Sequence, residues 1–335
     1  MKVAAFAIAA SLALGAQTSE FVADPMPAPS CHASTIIELR PGELMAAWFG
    51  GAAEGRPDVA IWSARKVDGR WQPPVELARE PHIATYNPVL FRSADHVLWL
   101  YYRFGPSPQQ WTAARRSSLD DGRTWSPVEH LPAGLYGPIR TKPLLLPNGV
   151  IVSGTSVESY GSWAAWVERS KDNGKTWTRH GPIVVPGTSA AAPNQSNGII
   201  QPVIVPVKGK HLRFYARSTN SIGCICVADS YDAGVTWSPA RPLDLPNPNA
   251  GIDAVRLKDG RYVMVYNHTA RGRSPLNLAV SRDGEHWTMF HALETDPGEY
   301  SYPAVVQSGD GSLHITYTWR RQKIKYVNWP LEQIP

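Results

Sequence analysis

Arginine, tyrosine and histidine recur in this chain at one kind of place, the residues that flank short apolar strands. Before six such strands stand His32, Tyr86, Arg140 with Lys142, Gln201, Asp253, and the run Glu299-Tyr300-Ser301-Tyr302. After their partner strands stand Arg103, Glu158, Arg217, Asn267-His268 and Trp319-Arg320. These residue types set the available chemistry. A guanidinium offers a planar fork of N–H donors that matches a carboxylate. Tyrosine can act as a nucleophile or a base, and histidine can move a proton near neutral pH. The set suits recognition of a small acid, with bond cleavage beside it.

Such residues meet only if the strands bring their ends together. Each copy is an apolar strand, a Gly- or Asp-rich turn and an alternating strand. The copies begin at His32, Asn87, Lys142, Gln201, Asp253 and Tyr302. Their partners run over 43–49, 97–102, 150–155, 211–216, 262–266 and 313–319. In a hairpin, the start of the first strand and the end of the second share one edge. The two sets of flanking residues therefore converge on one mouth.

A second repeat interleaves with the first. Ser-x-Asp-x-Gly-x-Thr-Trp occurs at Ser118–Trp125, Ser170–Trp177 and Ser230–Trp237, with a shortened copy at Ser281–Trp287. Ser63 with Asp68-Gly69 and Trp71 resembles a decayed fifth copy. In this turn Asp bonds backbone N–H groups just ahead, Gly supplies a positive φ, and Thr-Trp restarts a strand. A period of about 50–60 residues built on such turns signals a repeat architecture. The predicted fold is all-β, a six-bladed β-propeller with Asp-box repeats. Its last blade is closed by a strand from the other end of the chain, and the Asp boxes face away from the polar mouth.

Bulk properties narrow the function. The 335 residues carry 33 Lys and Arg against 28 Asp and Glu, a net charge of +5 spread without a basic run. That argues against nucleic acid and fits a small anionic substrate. Residues 1–16, with Lys2 and an apolar Ala-rich run, read as a secretory signal too short to span a bilayer. Residues 17–30 read as an extended lead-in and 31–335 as one propeller domain. The protein is thus expected to be secreted or periplasmic, off the membrane and monomeric. Cys31, Cys224 and Cys226 leave pairing open, and no metal-ligand cluster or cofactor motif is visible.

The Asp boxes, the six-blade pattern and several blade ends together resemble bacterial sialidases. More closely, they resemble the secreted sialidase-like proteins of that superfamily, from about Cys31 to Val327. The resemblance implies an exo-glycosidase that removes a terminal acidic sugar, sialic acid or a relative, from an oligosaccharide or glycoconjugate. It implies an arginine triad for the carboxylate, a tyrosine nucleophile assisted by a glutamate, and an aspartate acid/base on a first-blade loop. Tyrosine nucleophiles are a recognised exception to the paired-carboxylate rule. Tyr300-Ser301 stands where the nucleophile motif is expected, and Arg217 and Arg273 match two triad arginines. Asp58 lies near the acid/base position with Glu54 as competitor, and Arg140, Arg320 and Glu299 are further substrate-binding candidates.

Two positions depart from the pattern. His32 stands where the first-blade arginine belongs, and Gln201 where the assisting glutamate belongs. An amide cannot take the tyrosine's proton. His32 enters as an acid/base or substrate donor, and its titration near pH ~6.5 is predicted to weaken carboxylate binding as pH rises. Two other functions fit the same residues. One is a uronate lyase, in which arginines, Gln201, Tyr300 and His32 support β-elimination. The other is a glycan-binding propeller without chemistry.

Overall fold

Alternating Val, Ile, Tyr and Trp in short runs between Gly, Pro and Asp turns give strands almost throughout. The computed structural model describes residues 17–188 and 197–335; the expected signal segment 1–16 lies outside the described residues. Helix is confined to two single 3-10 turns among the described residues, Pro108–Gln110 and Leu331–Gln333.

The strands form six antiparallel meanders among the described residues. The first comprises Ser30–Arg40, Glu43–Gly51 and Ala60–Val67, with the short strands Arg70–Trp71 and Val75–Ala78 beside it. The second runs Thr85–Arg92, Leu98–Phe104, Thr112–Ser118 and Glu129–His130; the third runs Leu144–Leu145, Ile151–Ser159, Ser162–Ser170 and Thr178–Ile183. The fourth holds Asn197–Lys208, His211–Ser218, Cys224–Ser230 and Arg241–Pro246. It is joined to the third by a parallel contact of Ser162 and Trp163 with Asn197 and Gly198. The fifth holds Asp253–Arg256, Tyr262–Tyr266, Leu276–Ser281 and Thr288–Glu294. The sixth holds Tyr300–Gln307, Leu313–Trp319 and Lys323–Trp329, and its outer strand is Thr18–Phe21, antiparallel to Lys323–Trp329.

The apolar core is divided in the same way. Phe49 and Tyr102 share a cluster between the first and second meanders, and Tyr101 and Trp177 one between the second and third. Val152 and Phe214 join third to fourth, Tyr215 and Met264 fourth to fifth, and Leu278 and Tyr317 fifth to sixth. A sixth cluster with Trp48 and Tyr326 joins the last meander to the first. Each meander buries both faces, which is why a strand such as Glu43–Gly51 is apolar and buried along nearly its whole length.

The Asp boxes fix the outer turns. In the second meander Asp120 Oδ1 accepts the Thr124 N–H at 2.8 Å and Oδ2 accepts the Thr124 hydroxyl at 2.6 Å. Asp172 and Asp232 repeat both contacts, and Asp283 replaces the threonine hydroxyl with His286 Nδ1 at 2.7 Å. An arginine of each preceding meander then donates to a backbone carbonyl of the turn. Arg65 reaches Asp121 O, Arg115 reaches Gly174 O, Arg169 reaches Ala233 O at 3.1 Å, and Arg213 reaches Gly284 O at 3.0 Å. The box is thus a turn and also a stitch between neighbours. Asp68-Gly69 differs in its pairing: its left-handed φ of 50° and 75° match those of Asp121-Gly122 at 58° and 77°, but it closes a two-residue hairpin, with Val67 paired to Arg70. It is no decayed Asp box.

Candidate active site

Four first strands share an irregularity. Their pairing skips two residues, between His32 and Thr35, Tyr86 and Val89, Ile200 and Val203, and Ser301 and Ala304. The first skipped residue is left-handed in every case: Ala33 at φ 54°, Asn87 at 44°, Gln201 at 55° and Tyr302 at 51°. Ser34, Pro88, Pro202 or Pro303 follows. Proline has no N–H to leave unpaired where the ladder breaks. Such a bulge takes its side chain out of the strand's alternation, at a cost of roughly 1–3 kcal/mol for a left-handed non-glycine residue. Strain of this kind persists where the surroundings hold it, and it concentrates at working sites.

Two of the bulged polar residues, Gln201 and Tyr302, meet at one guanidinium. Arg217 Nη1 donates to the Tyr302 hydroxyl at 2.7 Å and to Gln201 Oε1 at 3.2 Å. Its Nε and Nη2 both donate to Asn249 Oδ1, at 3.0 and 2.7 Å. Every acceptor around this arginine among the described residues is neutral, so its charge meets no anion there by contact. Arg140 and Arg273 also face the Tyr302 ring, their guanidinium carbons 5.2 and 5.5 Å from its centre. Arg140 is buried; Nη2 reaches Pro303 O, while Nε and Nη1 have no partner among the described residues. Burial raises the Tyr302 pKa, but Arg217 and Arg273 outweigh it and the net shift is downward. A phenolate forms more readily here than in free tyrosine.

His32 lines the same space. Its ring centre lies 4.3 Å from that of Tyr302, and Nδ1 hydrogen-bonds with Thr318 Oγ1 at 2.9 Å. Burial, followed by the charges of Arg321, Arg273, Arg140 and Arg217, lowers its pKa well below the usual histidine value. The imidazole is neutral at physiological pH and cannot act as the missing cation. Glu299 sits at the rim, where its Oε1 accepts from Arg273 Nη1 at 2.8 Å and from Arg321 Nε at 2.9 Å. Burial works against its ionisation, but the two arginines and Ser301 hold its pKa below the carboxylate norm. Glu54 reaches Arg321 from the first-meander loop.

The profile of the BNR repeat-like domain matches residues 42–315, most of the chain. The chain belongs to the BNR repeat-like family. Its fold is that of the sialidases. The Hadza microbial sialidase Hz136 superposes with a TM-score of 0.74 at 18% identity, covering 95% of this chain and 69% of that one. The intramolecular trans-sialidase of Ruminococcus gnavus gives 0.73 at 14% identity, covering 94% and 97%. A protein of unknown function from Dyadobacter fermentans gives 0.74 at 17% identity, covering 89% and 94%. No curated protein matches the sequence.

In this BNR-family chain the structure brings together most, though not all, of the residues singled out from sequence. Gln201, Arg217, Arg273, Arg140, His32 and Glu299 do converge. Tyr300 does not: it is fully buried in the apolar cluster between the fifth and sixth meanders, and its hydroxyl accepts from Arg320 at 3.2 Å. Tyr302 faces the arginines instead, because the bulge reverses the alternation that would otherwise place it with Tyr300. Arg320 is exposed and stacks on Trp319, 4.7 Å from the ring centre, while its neighbour Arg321 turns toward the site. Asp58 is exposed and its Oδ2 accepts the Ala52 N–H at 2.7 Å, closing its own loop. The expectation that His32 titrates near neutrality fails, because burial among arginines keeps it uncharged.

Tyr302 nevertheless has a signal in the sequence. Asn87-Pro88, Gln201-Pro202 and Tyr302-Pro303 occupy the same repeat position, so Tyr302 aligns with Gln201. The Tyr-Ser pair points instead to the residue two places earlier.

Proposed function

We propose that this protein cleaves the glycosidic bond of a terminal acidic sugar, sialic acid or a related sugar acid, on an oligosaccharide or glycoconjugate met outside the cytoplasm. The observation that carries the reading is the Tyr302 hydroxyl held 2.7 Å from Arg217 beneath the further guanidiniums of Arg140 and Arg273. The six meanders are read as six blades of a closed propeller. The order of the apolar clusters and the antiparallel pairing of Thr18–Phe21 with Lys323–Trp329 support that reading. Its mouth then carries the cluster.

In this account Arg217, Arg273 and Arg140 hold the sugar carboxylate, using the unpartnered Arg140 N–H groups for part of the fork. Tyr302 attacks the anomeric carbon as phenolate. Arginine charge lowers its pKa, so deprotonation does not require a glutamate at position 201. Gln201 positions the hydroxyl and Arg217 without taking a proton. His32, neutral and packed on the Tyr302 ring, offers a hydrogen-bonding wall where an arginine would add charge.

Gln201 also favours a second reading, β-elimination at a uronate. There the guanidiniums and the amide neutralise the carboxylate, and Tyr302 takes the proton beside it. One experiment separates the two. Sialyl, ketodeoxy-sugar and uronyl glycosides are incubated with the protein and products are weighed by mass spectrometry. Gain of water supports hydrolysis, and an unsaturated ultraviolet-absorbing product supports elimination. Binding without any product, from a folded protein, would contradict both and favour a glycan-binding propeller.

A further inference from the structure

One carboxyl group at the mouth has no task in the arrangement above. Glu158 stands at the end of the strand Ile151–Ser159, opposite Trp163. It is half-buried, and no hydrogen bond or ion pair holds it among the described residues. Isolated carboxyls in such a setting are uncommon, because removal from water without a donor is costly.

Strand geometry places this group on the wall of the site. Gly154, Ser156 and Glu158 alternate onto one face. Gly154 lies against the backbone of Pro202, so closely that a Cβ there would strike the Pro202 carbonyl. Ser156 Oγ accepts the Gln201 N–H at 3.3 Å. That face therefore lies against the strand that bears Gln201, and Glu158 is one step nearer the mouth.

Its charged neighbour is Arg217, whose ring contact with Trp163 at 6.0 Å spans the same corner. The other elements packed against this strand bring uncharged groups to that level: Trp163, Gln201, and the turn Pro108–Gln110. Glu168 and Arg169 of the neighbouring strand pair with Ser153 and Val152, far down the ladder. Burial raises the Glu158 pKa, and Arg217 offsets it only in part. Tyr302, bonded to the same guanidinium, moves downward. Of the two groups that Arg217 influences, burial thus favours the protonated carboxyl and arginine charge the ionised phenol, the division that an acid and a nucleophile require.

We propose that Glu158 is the general acid of this site, supplied by the third meander in place of the first-meander carboxylates. Asp58 is held by the Ala52 N–H and Glu54 by Arg321, so neither is free for that role. The proposal rests on the reading of Tyr302 as the group that attacks the sugar. In the first step the Glu158 carboxylic acid gives its proton to the glycosidic oxygen. The bond from that oxygen to the anomeric carbon breaks, its electron pair stays on the oxygen, and the Tyr302 oxygen bonds to the anomeric carbon. In the second step Glu158, now carboxylate, takes a proton from water. The water oxygen bonds to the anomeric carbon and the Tyr302–carbon bond breaks, restoring both residues.

The test compares two leaving groups on the same acidic sugar, using the full chain. One is a sugar hydroxyl, which needs a proton to depart; the other is nitrophenol, which does not. Glu158→Gln is expected to lose at least ~100-fold in kcat/KM on the first and less than ~5-fold on the second. Its kcat/KM should also lose the decline that wild type shows as pH rises through the Glu158 titration. Glu54→Gln and Asp58→Asn should keep the wild-type ratio between the two substrates. Should Glu158→Gln fold poorly in a thermal melt, Glu158→Ala with added formate replaces it, and recovery of the sugar-leaving reaction supports the assignment. An equal loss on both substrates, or no loss on either, removes Glu158 as the acid while the Tyr302 reading stands. Wild type that cleaves neither substrate overturns the Tyr302 reading and this proposal with it.

Discussion

The two ends of the meanders use charge in opposite ways. At the Asp-box end each box aspartate is satisfied inside its own turn: Asp232 Oδ1 accepts from the Ser230 hydroxyl and the N–H groups of Val235 and Thr236, and Oδ2 from the Thr236 hydroxyl. Burial is the largest single influence on these groups and pushes their pKa up, but the hydrogen bonds together outweigh it and hold Asp172 and Asp232 down to about 2. At the mouth the partners of Arg217 are 16 to 85 positions away in sequence and are neutral oxygens, while the rim arginines Arg273 and Arg321 meet the Glu299 carboxylate. Among the described residues, Arg140 leaves two N–H groups without partners, and Glu158 leaves a carboxyl without a donor. A saturated cluster stabilises a turn. A cluster with unused donors and a shifted tyrosine is ready for a ligand.

Substitution at each end should separate the two roles. Arg217→Ala is expected to weaken binding of a free acidic sugar at least ~100-fold, because the buried guanidinium that would pair with the sugar carboxylate is lost. Isothermal calorimetry checks this. Asp232→Ala should leave that affinity unchanged and instead lower stability by about 1–3 kcal/mol, since four N–H and O–H donors lose their acceptor. The sign with pH follows from its lowered pKa. The stabilisation by Asp232 is present above the unfolded value of about 3.9 and is lost as pH falls through about 2. Acid unfolding of Asp232→Asn should therefore lack that part of the wild-type slope. A variant at position 232 that weakened sugar binding as much as Arg217→Ala would erase the distinction.

The same contrast explains what the sequence discloses. An Asp box is closed within four residues, so its spacing is visible in the chain and its turn can be written down from the residue types alone. Hairpin logic also brings Gln201, Arg217 and His32 to one edge correctly. What it misses depends on one dihedral: a left-handed residue at Tyr302 reverses which tyrosine faces the arginines. Similarly, φ values of 52° and 55° at Arg320 and Arg321 decide which of the two turns inward. Glu158 is legible as a mouth residue, but its isolation from any donor is a property of three strands packed together. Asp68-Gly69 shows the converse error, since a hairpin turn and a worn Asp box use the same two residues.

A smaller effect concerns His32. Held neutral by burial and four arginines, it should contribute no inflection near pH ~6.5 to acidic-sugar affinity. Wild type and His32→Gln should give parallel affinity-versus-pH curves between about pH 5.5 and 8. An inflection near neutrality that disappears in His32→Gln would show that the histidine is charged at the mouth, and would return it to the role of a titrating cation.

The most direct measurement is the contrast between two tyrosines two residues apart. Tyr302→Phe removes the hydroxyl bonded to Arg217, whereas Tyr300→Phe removes one bonded to Arg320 at the edge of the apolar core. On an acidic glycoside of the class proposed as substrate, Tyr302→Phe is expected to lose at least ~1000-fold in kcat, as for other deleted nucleophiles. Tyr300→Phe should stay within about threefold and lose no more than about 1 kcal/mol of stability. Loss of turnover in Tyr300→Phe with activity retained in Tyr302→Phe would contradict the account.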